Sequence, residues 1–205
     1  MNKTIIDALK KAQSYPEYRD TVARHVAKGT STGDTQSDAL SNYTLLNDKR
    51  MKRLDKTLKL DTGLVEKIKN YDKKVTWLVL TESWCGDAAH TMPVMNKISA
   101  LNDNISFKVV LRDENDGLMM QHLTNGSKSI PKLLVIDEAT EEVIQTWGPR
   151  PSKATEMVHA FKKEHGTLTP EFKQDLQMWY NKDKGQNTAT DLVNLMVLEG
   201  VSNGA

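Results

Sequence analysis

The chain of 205 residues carries a net charge of +1, a balance that gives no reason to expect nucleic acid as a partner. Its apolar runs are all shorter than the roughly 18 residues of a membrane-spanning helix, so we expect no membrane partner. The single cysteine, Cys85, excludes an intrachain disulfide, and the first residues carry Asp7 and lysines where a signal peptide would be apolar. These features predict a cytoplasmic protein in a reducing compartment.

Residues 1–72 are predicted to form a helical extension that packs on the rest of the chain. Apolar side chains at helical spacing predict two helices over residues 3–28, and the small polar residues 29–37 predict a loop. A longer amphipathic helix is predicted over residues 40–58 and a short one over residues 64–68. The other face of the longer helix is basic, through Lys49, Arg50, Lys52 and Arg53. We interpret this face as a solvated surface in preference to an anion-binding one.

Residues 73–166 are predicted to form an α/β domain, and residues 167–205 a helical C-terminal extension. The predicted strands lie at residues 75–80, 105–111, 133–136 and 142–147, and the predicted helices at residues 88–101, 118–123 and 154–163. We expect the first two strands to be parallel across a helix, and the last two to form an antiparallel hairpin at one side of the sheet.

The lone cysteine falls at the junction between the first strand and the helix that follows. Backbone N–H groups and the helix dipole favour a thiolate at such a terminus, whereas Asp87 disfavours it by its like charge. The sequence leaves the balance between these effects open. Asp87 is read as a first-turn residue favoured by the helix dipole, in preference to a catalytic acid. Cys85 is the predicted nucleophile, and an unreactive thiol beside a partner groove is the alternative.

Several features in register over residues 74–164 resemble the thioredoxin superfamily. They are the turn Trp84-Cys85-Gly86, Pro93 in the following helix, Ile130-Pro131 before a strand, and Gly148. The resemblance implies a thioredoxin fold, with a mixed sheet of about four to five strands flanked by helices and a cis-proline lying against the sulfur. It also implies a substrate groove formed by Trp84, Gly86, Asp87, Ala88, Ile130, Pro131 and Gly148.

The chain departs from this family at two related positions. Ala88 stands where the family has its second cysteine, so cycling between a dithiol and a disulfide within this chain is impossible. Val79 stands where the family buries an aspartate that helps to deprotonate the second thiol. Further motifs, among them the run from Trp147 to Pro151, are similar to an uncharacterised group of bacterial thioredoxin-like proteins. That similarity implies a fold and no activity.

Charged residues around the turn are candidate anion or acid partners. Arg112 ends the second strand, and we favour its pairing with a nearby acid over the binding of a carboxylate or phosphate. The resemblance implies a hydrogen bond from the Trp84 indole to Asp113 or Glu114, with simple packing of the ring as the alternative. Arg150, which lies between two prolines, is the better candidate for binding an anion.

Two other kinds of site are not favoured by the sequence. His90 lies about 140° around the helix from Cys85, so we expect it to be exposed or structural. No metal site is predicted, because the available ligands diverge and there is no second cysteine.

The function that best fits these residues is thiol–disulfide exchange through Cys85. The thiolate would attack a protein disulfide or a mixed disulfide of a small thiol, and an external low-molecular-weight thiol would release the product. No bound cofactor is expected. The alternative is a non-catalytic module that binds an extended peptide in the same groove. A peroxidase-like role is less favoured, because its usual threonine and arginine cannot be assigned.

Overall fold

The computed structural model describes residues 2–200 of the protein, with side chains described for residues 2–197. Residues 201–205 of the predicted C-terminal extension lie outside the described residues. The helices are α1 (Lys3–Lys11), α2 (Tyr15–Lys28), α3 (Asp38–Thr57), α4 (Thr62–Lys69), α5 (Gly86–Ser99), α6 (Asp116–Gln121), α7 (Ser152–His165), α8 (Pro170–Asp183) and α9 (Gln186–Gly200). The strands are β1 (Val75–Thr81), β2 (Ile105–Leu111), β3 (Lys132–Asp137) and β4 (Val143–Trp147).

A mixed four-stranded sheet in the order β2-β1-β3-β4 forms the centre of the fold. β1 runs parallel to β2 and antiparallel to β3, and β4 pairs antiparallel with β3. The predicted parallel pair and hairpin are therefore confirmed. β1 is almost wholly buried because it lies between two strands, which explains its continuous apolar run. It continues through Thr81, one residue beyond the predicted strand.

The N-terminal extension covers one edge of the sheet and the start of α5. Gln13, between α1 and α2, exchanges two backbone hydrogen bonds of 2.8 Å with Val109 of β2, so the free edge of that strand is capped. α2 begins at a capping box between Ser14 and Glu17, and α3 begins at Ser37, whose side chain accepts the N–H of Leu40. α3 packs along α5 and α2, which brings it beside the cysteine.

The C-terminal extension contributes to two apolar clusters. Phe172, Leu176 and Tyr180 of α8 pack against α7, and α9 places Leu192 and Val193 in the main core. Both predicted extensions are therefore helical and packed against the sheet-bearing part of the chain. Within the described part of the chain, no helix combines the length and apolarity needed to cross a membrane.

The helix after β2 is displaced from its predicted position. A 3-10 turn at Asp113–Asn115 leads directly into α6, which therefore begins and ends earlier than the predicted residues 118–123. α5 ends at Ser99 and not at residue 101, because Ala100 already leaves the helix as its C-cap.

Candidate functional site

Cys85 occupies the N-cap position of α5. Its Sγ accepts the backbone N–H of Ala88 at 3.5 Å, and its S–H donates to the carbonyl oxygen of Ile130 at 3.3 Å. The peptide bond between Ile130 and Pro131 is cis, as predicted, and the carbonyl group that contacts the sulfur directly precedes this proline. Only 7% of the Cys85 surface is exposed. The sulfur is thus held between a helix terminus and a carbonyl group at the base of a groove.

The surroundings of Cys85 favour its protonated form. Burial, followed by the negative charge of Asp87, raises the pKa of the Cys85 thiol from its ordinary 9.0 to about 12, although N–H groups at the helix terminus oppose the rise. The sequence left open whether the helix terminus or Asp87 would prevail. In the structure the thiol form is favoured, mainly because Cys85 is buried. The position of Cys85 along the chain does not indicate this burial.

Asp87 lies in the first turn of α5, as predicted, and it also forms a buried ion pair. One carboxylate oxygen lies 2.8 Å from Nη2 of Arg150, and the other accepts the hydroxyl of Tyr180 at 2.9 Å. Burial raises the pKa of Asp87, while the charge of Arg150 opposes this rise. Arg150, the predicted anion site, therefore already has a carboxylate partner within the chain. Its Nε is buried without a hydrogen-bond partner among the described residues.

Trp84 lies under a guanidinium group. Arg112 is centred 5.0 Å from the Trp84 ring, and it binds Asp113 through Nε and Nη2, each at 2.7 Å. The favoured pairing of Arg112 with an acid is thus observed. Within the described residues, the Trp84 indole donates to neither Asp113 nor Glu114, so the predicted hydrogen bond is wrong. Asp113 is occupied by Arg112, and the Glu114 side chain is exposed.

His90 is structural, and it is buried. Its ring stacks on Tyr180 with the centroids 4.4 Å apart, and its Nε2 lies 2.9 Å from Oε1 of Gln177. Burial lowers the pKa of His90 to about 4, so the ring is neutral and Nε2 is the donor in this bond. The expectation of an exposed or structural histidine is met by the second alternative.

The N-terminal extension holds the turn before Cys85. The Ser83 side chain accepts the Thr32 backbone N–H at 2.9 Å and lies 2.8 Å from the Thr44 hydroxyl. Asn47 of α3 donates to the Ser83 carbonyl at 2.9 Å. No pattern in the sequence predicts these contacts, although a polar Ser83 directly after a buried strand requires hydrogen-bond partners.

A buried acid lies at the end of β1. Glu82 is fully buried, and its Oε1 accepts the backbone N–H of Asp113 at 2.9 Å. Burial raises the pKa of Glu82. Its observed role is to join the end of β1 to the turn after β2.

A groove of about 700 Å³ opens beside the sulfur, with walls from the core and from both extensions. Among the predicted site residues, those lining it are Trp84, Cys85, Gly86, Asp87, Arg112, Ile130 and Arg150. The extensions add Leu40, Tyr43 and Arg50 from α3 and Lys173, Gln174, Leu176 and Gln177 from α8. The predicted site residues do come together, and sequence reasoning missed the side chains of the extensions. Only Arg50 had a signal, as part of the basic run.

Two further predicted residues, Ala88 and Gly148, do not line the groove. Ala88 is buried and contributes its N–H to the sulfur. Gly148 has a positive φ of 116°, and a Cβ atom there would lie 2.1 Å from the carbonyl oxygen of Pro131. A glycine is therefore required here for the backbone directly after β4 to lie against Pro131.

Comparison with known proteins identifies the fold. A family model described as thioredoxin matches residues 33–164. The chain belongs to the thioredoxin family. Two solved structures share the fold at 18% identity: an HIV epitope-scaffold protein, with a TM-score of 0.56 over 91% of this chain and 99% of its own, and a protein of unknown function from Pseudomonas aeruginosa, with a TM-score of 0.54 over 92% of this chain and 99% of its own. The comparison with curated proteins finds no match.

The pairing of β1 with β2 shows what surrounds Val79, one of the two positions that differ from a dithiol thioredoxin. Val79, which stands at the position of the family's buried aspartate, pairs with Val109 of β2, so the region behind the site is apolar. The acid nearest to the cysteine is instead Asp87, on the groove side of α5. The site therefore has alanine and valine, at Ala88 and Val79, where the resemblance implied a second thiol and a buried acid, and it holds the Asp87–Arg150 ion pair beside the groove.

Proposed function

We propose that this protein carries out thiol–disulfide exchange through Cys85 alone, as a monothiol member of the thioredoxin family. The observation that supports this most is the position of the sulfur. It lies at the N-terminus of α5, faces the carbonyl before a cis-proline, and opens on a groove that can hold a substrate. Nucleophilic attack by a cysteine held at a helix terminus is established site chemistry.

The proposed reaction conserves thiols and disulfides at each step. The Cys85 sulfur attacks one sulfur of a substrate disulfide, so that one S–S bond forms while another breaks. The proton lost by Cys85 passes by way of solvent to the departing thiolate. Since Ala88 cannot resolve the product, a free low-molecular-weight thiol attacks the mixed disulfide and restores Cys85. A bacterial cytoplasm, which holds such thiols, is the setting that we propose.

Substrate binding is proposed to remove one hydrogen bond that is made only by the protonated form of Cys85. In the free protein the S–H donates to the Ile130 carbonyl. A backbone N–H of a bound substrate would compete for the same oxygen, as expected for a chain docked against a cis-proline edge. Loss of this acceptor removes a stabilising partner of the thiol form, so the pKa of Cys85 falls when the groove is filled.

A second candidate function is a non-catalytic module that binds a peptide in the same groove. The raised pKa of Cys85 favours it, because the free protein then holds almost no thiolate at neutral pH. In such a module the Cys85 side chain serves as a small apolar wall of the groove.

Intact-mass measurements separate the two functions. The full chain is incubated with oxidised glutathione and then with excess dithiothreitol, with Cys85→Ser as the control. Exchange predicts one glutathione adduct on the wild type, none on the variant, and full release by dithiothreitol. An unmodified wild-type protein after prolonged incubation would refute exchange. Retained capture of a peptide by Cys85→Ala would then support the module.

A further inference from the structure

The groove beside Cys85 is strongly cationic. Its charged lining consists of Arg50, Arg112, Lys128, Arg150, Lys173 and one acid, Asp87. Three of the cations are neutralised by acids of the chain: Arg112 by Asp113, Lys128 by Asp116, and Arg150 by Asp87. Arg50 and Lys173 have no carboxylate within ion-pair distance among the described residues. The groove therefore has an excess of positive charge that a bound anion would neutralise.

Arg50 is held in place by a neutral partner. Its Nη1 donates to Oδ1 of Asn47 at 2.9 Å, and the amide of Asn47 donates to the carbonyl of Ser83 at 2.9 Å. The guanidinium is thus fixed to the turn that carries Cys85, yet its charge is not compensated. A half-buried guanidinium with donors to spare is well suited to bind a carboxylate through two parallel hydrogen bonds.

Gln177 of α8 supplies a second oriented donor. Because Nε2 of the neutral His90 donates to Oε1 of Gln177, the amide group of Gln177 is fixed with its NH2 directed elsewhere. A Cβ atom at Gly86 would lie 3.7 Å from Nη1 of Arg50 and 3.8 Å from Nε2 of Gln177. The two donors therefore flank the residue that follows Cys85, and among the described residues the NH2 of Gln177 meets no acceptor.

We propose that Arg50 and Gln177 form a carboxylate-binding subsite, and that the disulfide attacked by Cys85 belongs to an acidic low-molecular-weight thiol of the glutathione type. This inference rests on the proposed exchange function and specifies its substrate class. The carboxylate binds beside Gly86 and thereby places the substrate sulfur over Cys85. Both donors come from the extensions, Arg50 from α3 and Gln177 from α8.

The shape of the groove favours a small thiol over a polypeptide. α3 and the start of α8 contribute side chains to the lining of the groove, and its volume of about 700 Å³ is within the range of sites that hold small molecules. The excess charge likewise matches a small molecule that carries its own carboxylates.

The test compares an acidic with an uncharged disulfide. Rates of Cys85 modification are measured for oxidised glutathione and for bis(2-hydroxyethyl) disulfide, using wild type, Arg50→Gln and the control Lys49→Gln. Lys49 is the exposed neighbour of Arg50 and lies outside the groove. We expect Arg50→Gln to slow the reaction with oxidised glutathione by about tenfold, the loss of roughly one good charged hydrogen bond, and to leave the uncharged disulfide unaffected. Lys49→Gln should change neither rate by more than about twofold.

A binding measurement tests the subsite independently of the exchange reaction. S-methylglutathione, which cannot exchange, is titrated into Cys85→Ala with and without Arg50→Gln or Gln177→Leu, and thermal melting verifies that each variant is folded. Weaker binding of S-methylglutathione in both double variants supports the subsite. This holds even if the wild type forms no glutathione adduct, because a missing adduct refutes only the exchange function. Equal affinity in all variants, or equal slowing of both disulfides by Arg50→Gln, would overturn the subsite while leaving exchange intact.

Discussion

Asp87 is predicted to control the reactivity of Cys85. Burial and the Asp87 charge raise the pKa of Cys85 from 9.0 to about 12, and this rise corresponds to about 4 kcal/mol favouring the thiol. At pH 8 only about one thiol in 10⁴ is then ionised. Burial is the larger cause and remains in the variant Asp87→Asn, so we expect that variant to recover roughly one pKa unit. The thiolate fraction, and with it the rate of alkylation, should rise about tenfold.

The assay is alkylation by iodoacetamide, followed by intact mass from about pH 6 to about pH 11, where thiolate formation limits the rate. The wild-type rate should rise tenfold with each pH unit and show no plateau below about pH 10. Asp103→Asn, which removes an exposed carboxylate, serves as the matched control and should follow the wild-type profile. In Asp87→Asn the positive charge of Arg150 is no longer paired and also favours the thiolate, so both changes raise the thiolate fraction of Cys85. A wild-type plateau with its midpoint below about pH 8.5 would refute the reasoning.

Other predictions test the surroundings of the site. The pKa of His90 is lowered to about 4 in the fold. The unfolded chain therefore binds the extra proton first, and stability falls as the pH drops from about 6.5 towards 4. Between about pH 7.5 and pH 5 the unfolding free energy of the wild type should therefore fall by about 2 kcal/mol more than that of His90→Phe, as measured in urea titrations. An equal fall in the two proteins would show that the ring is charged in the fold. Gly148→Ala should lower the melting temperature far more than the control Gly126→Ala, because a Cβ at Gly148 meets the Pro131 carbonyl at 2.1 Å whereas Gly126 has open space. Equal melting temperatures would contradict the close approach. Ser83→Ala should cost about 1 to 3 kcal/mol in the same urea titrations, because its buried partners lose their acceptor; an unchanged midpoint would show that the turn is held otherwise.

The sheet could be predicted from the sequence because its signals are local. β2 was placed at its observed bounds, and β1 and β3 within one residue at each end, since short apolar runs bounded by polar turns have few alternative readings. The cis-proline followed from its register with Trp84-Cys85-Gly86. Boundaries failed where the backbone continued through polar residues, as at Thr81 and at the 3-10 turn before α6.

The chemistry of the site was less predictable because it depends on contacts between distant parts of the chain. Asp87 meets Tyr180, 93 residues later, and the turn at Ser83 meets Thr32, 51 residues earlier. No periodicity or motif encodes such pairs. The sequence correctly predicts that Asp87 lies in the first turn beside Cys85, but it does not predict the buried partners of the carboxylate.

The two extensions are best understood as parts of the site. A single cysteine cannot release its own mixed disulfide, so the lifetime of that adduct depends on how an external thiol reaches it. In this protein the approach is bounded by α3 and α8, which contribute Arg50, Tyr43, Lys173 and Gln177 to the groove. α3 also fixes the turn before Cys85 through Asn47. If Cys85 exchanges as proposed, α3 and α8 would contact both the first substrate and the resolving thiol, and an acidic thiol would satisfy both requirements with one set of donors.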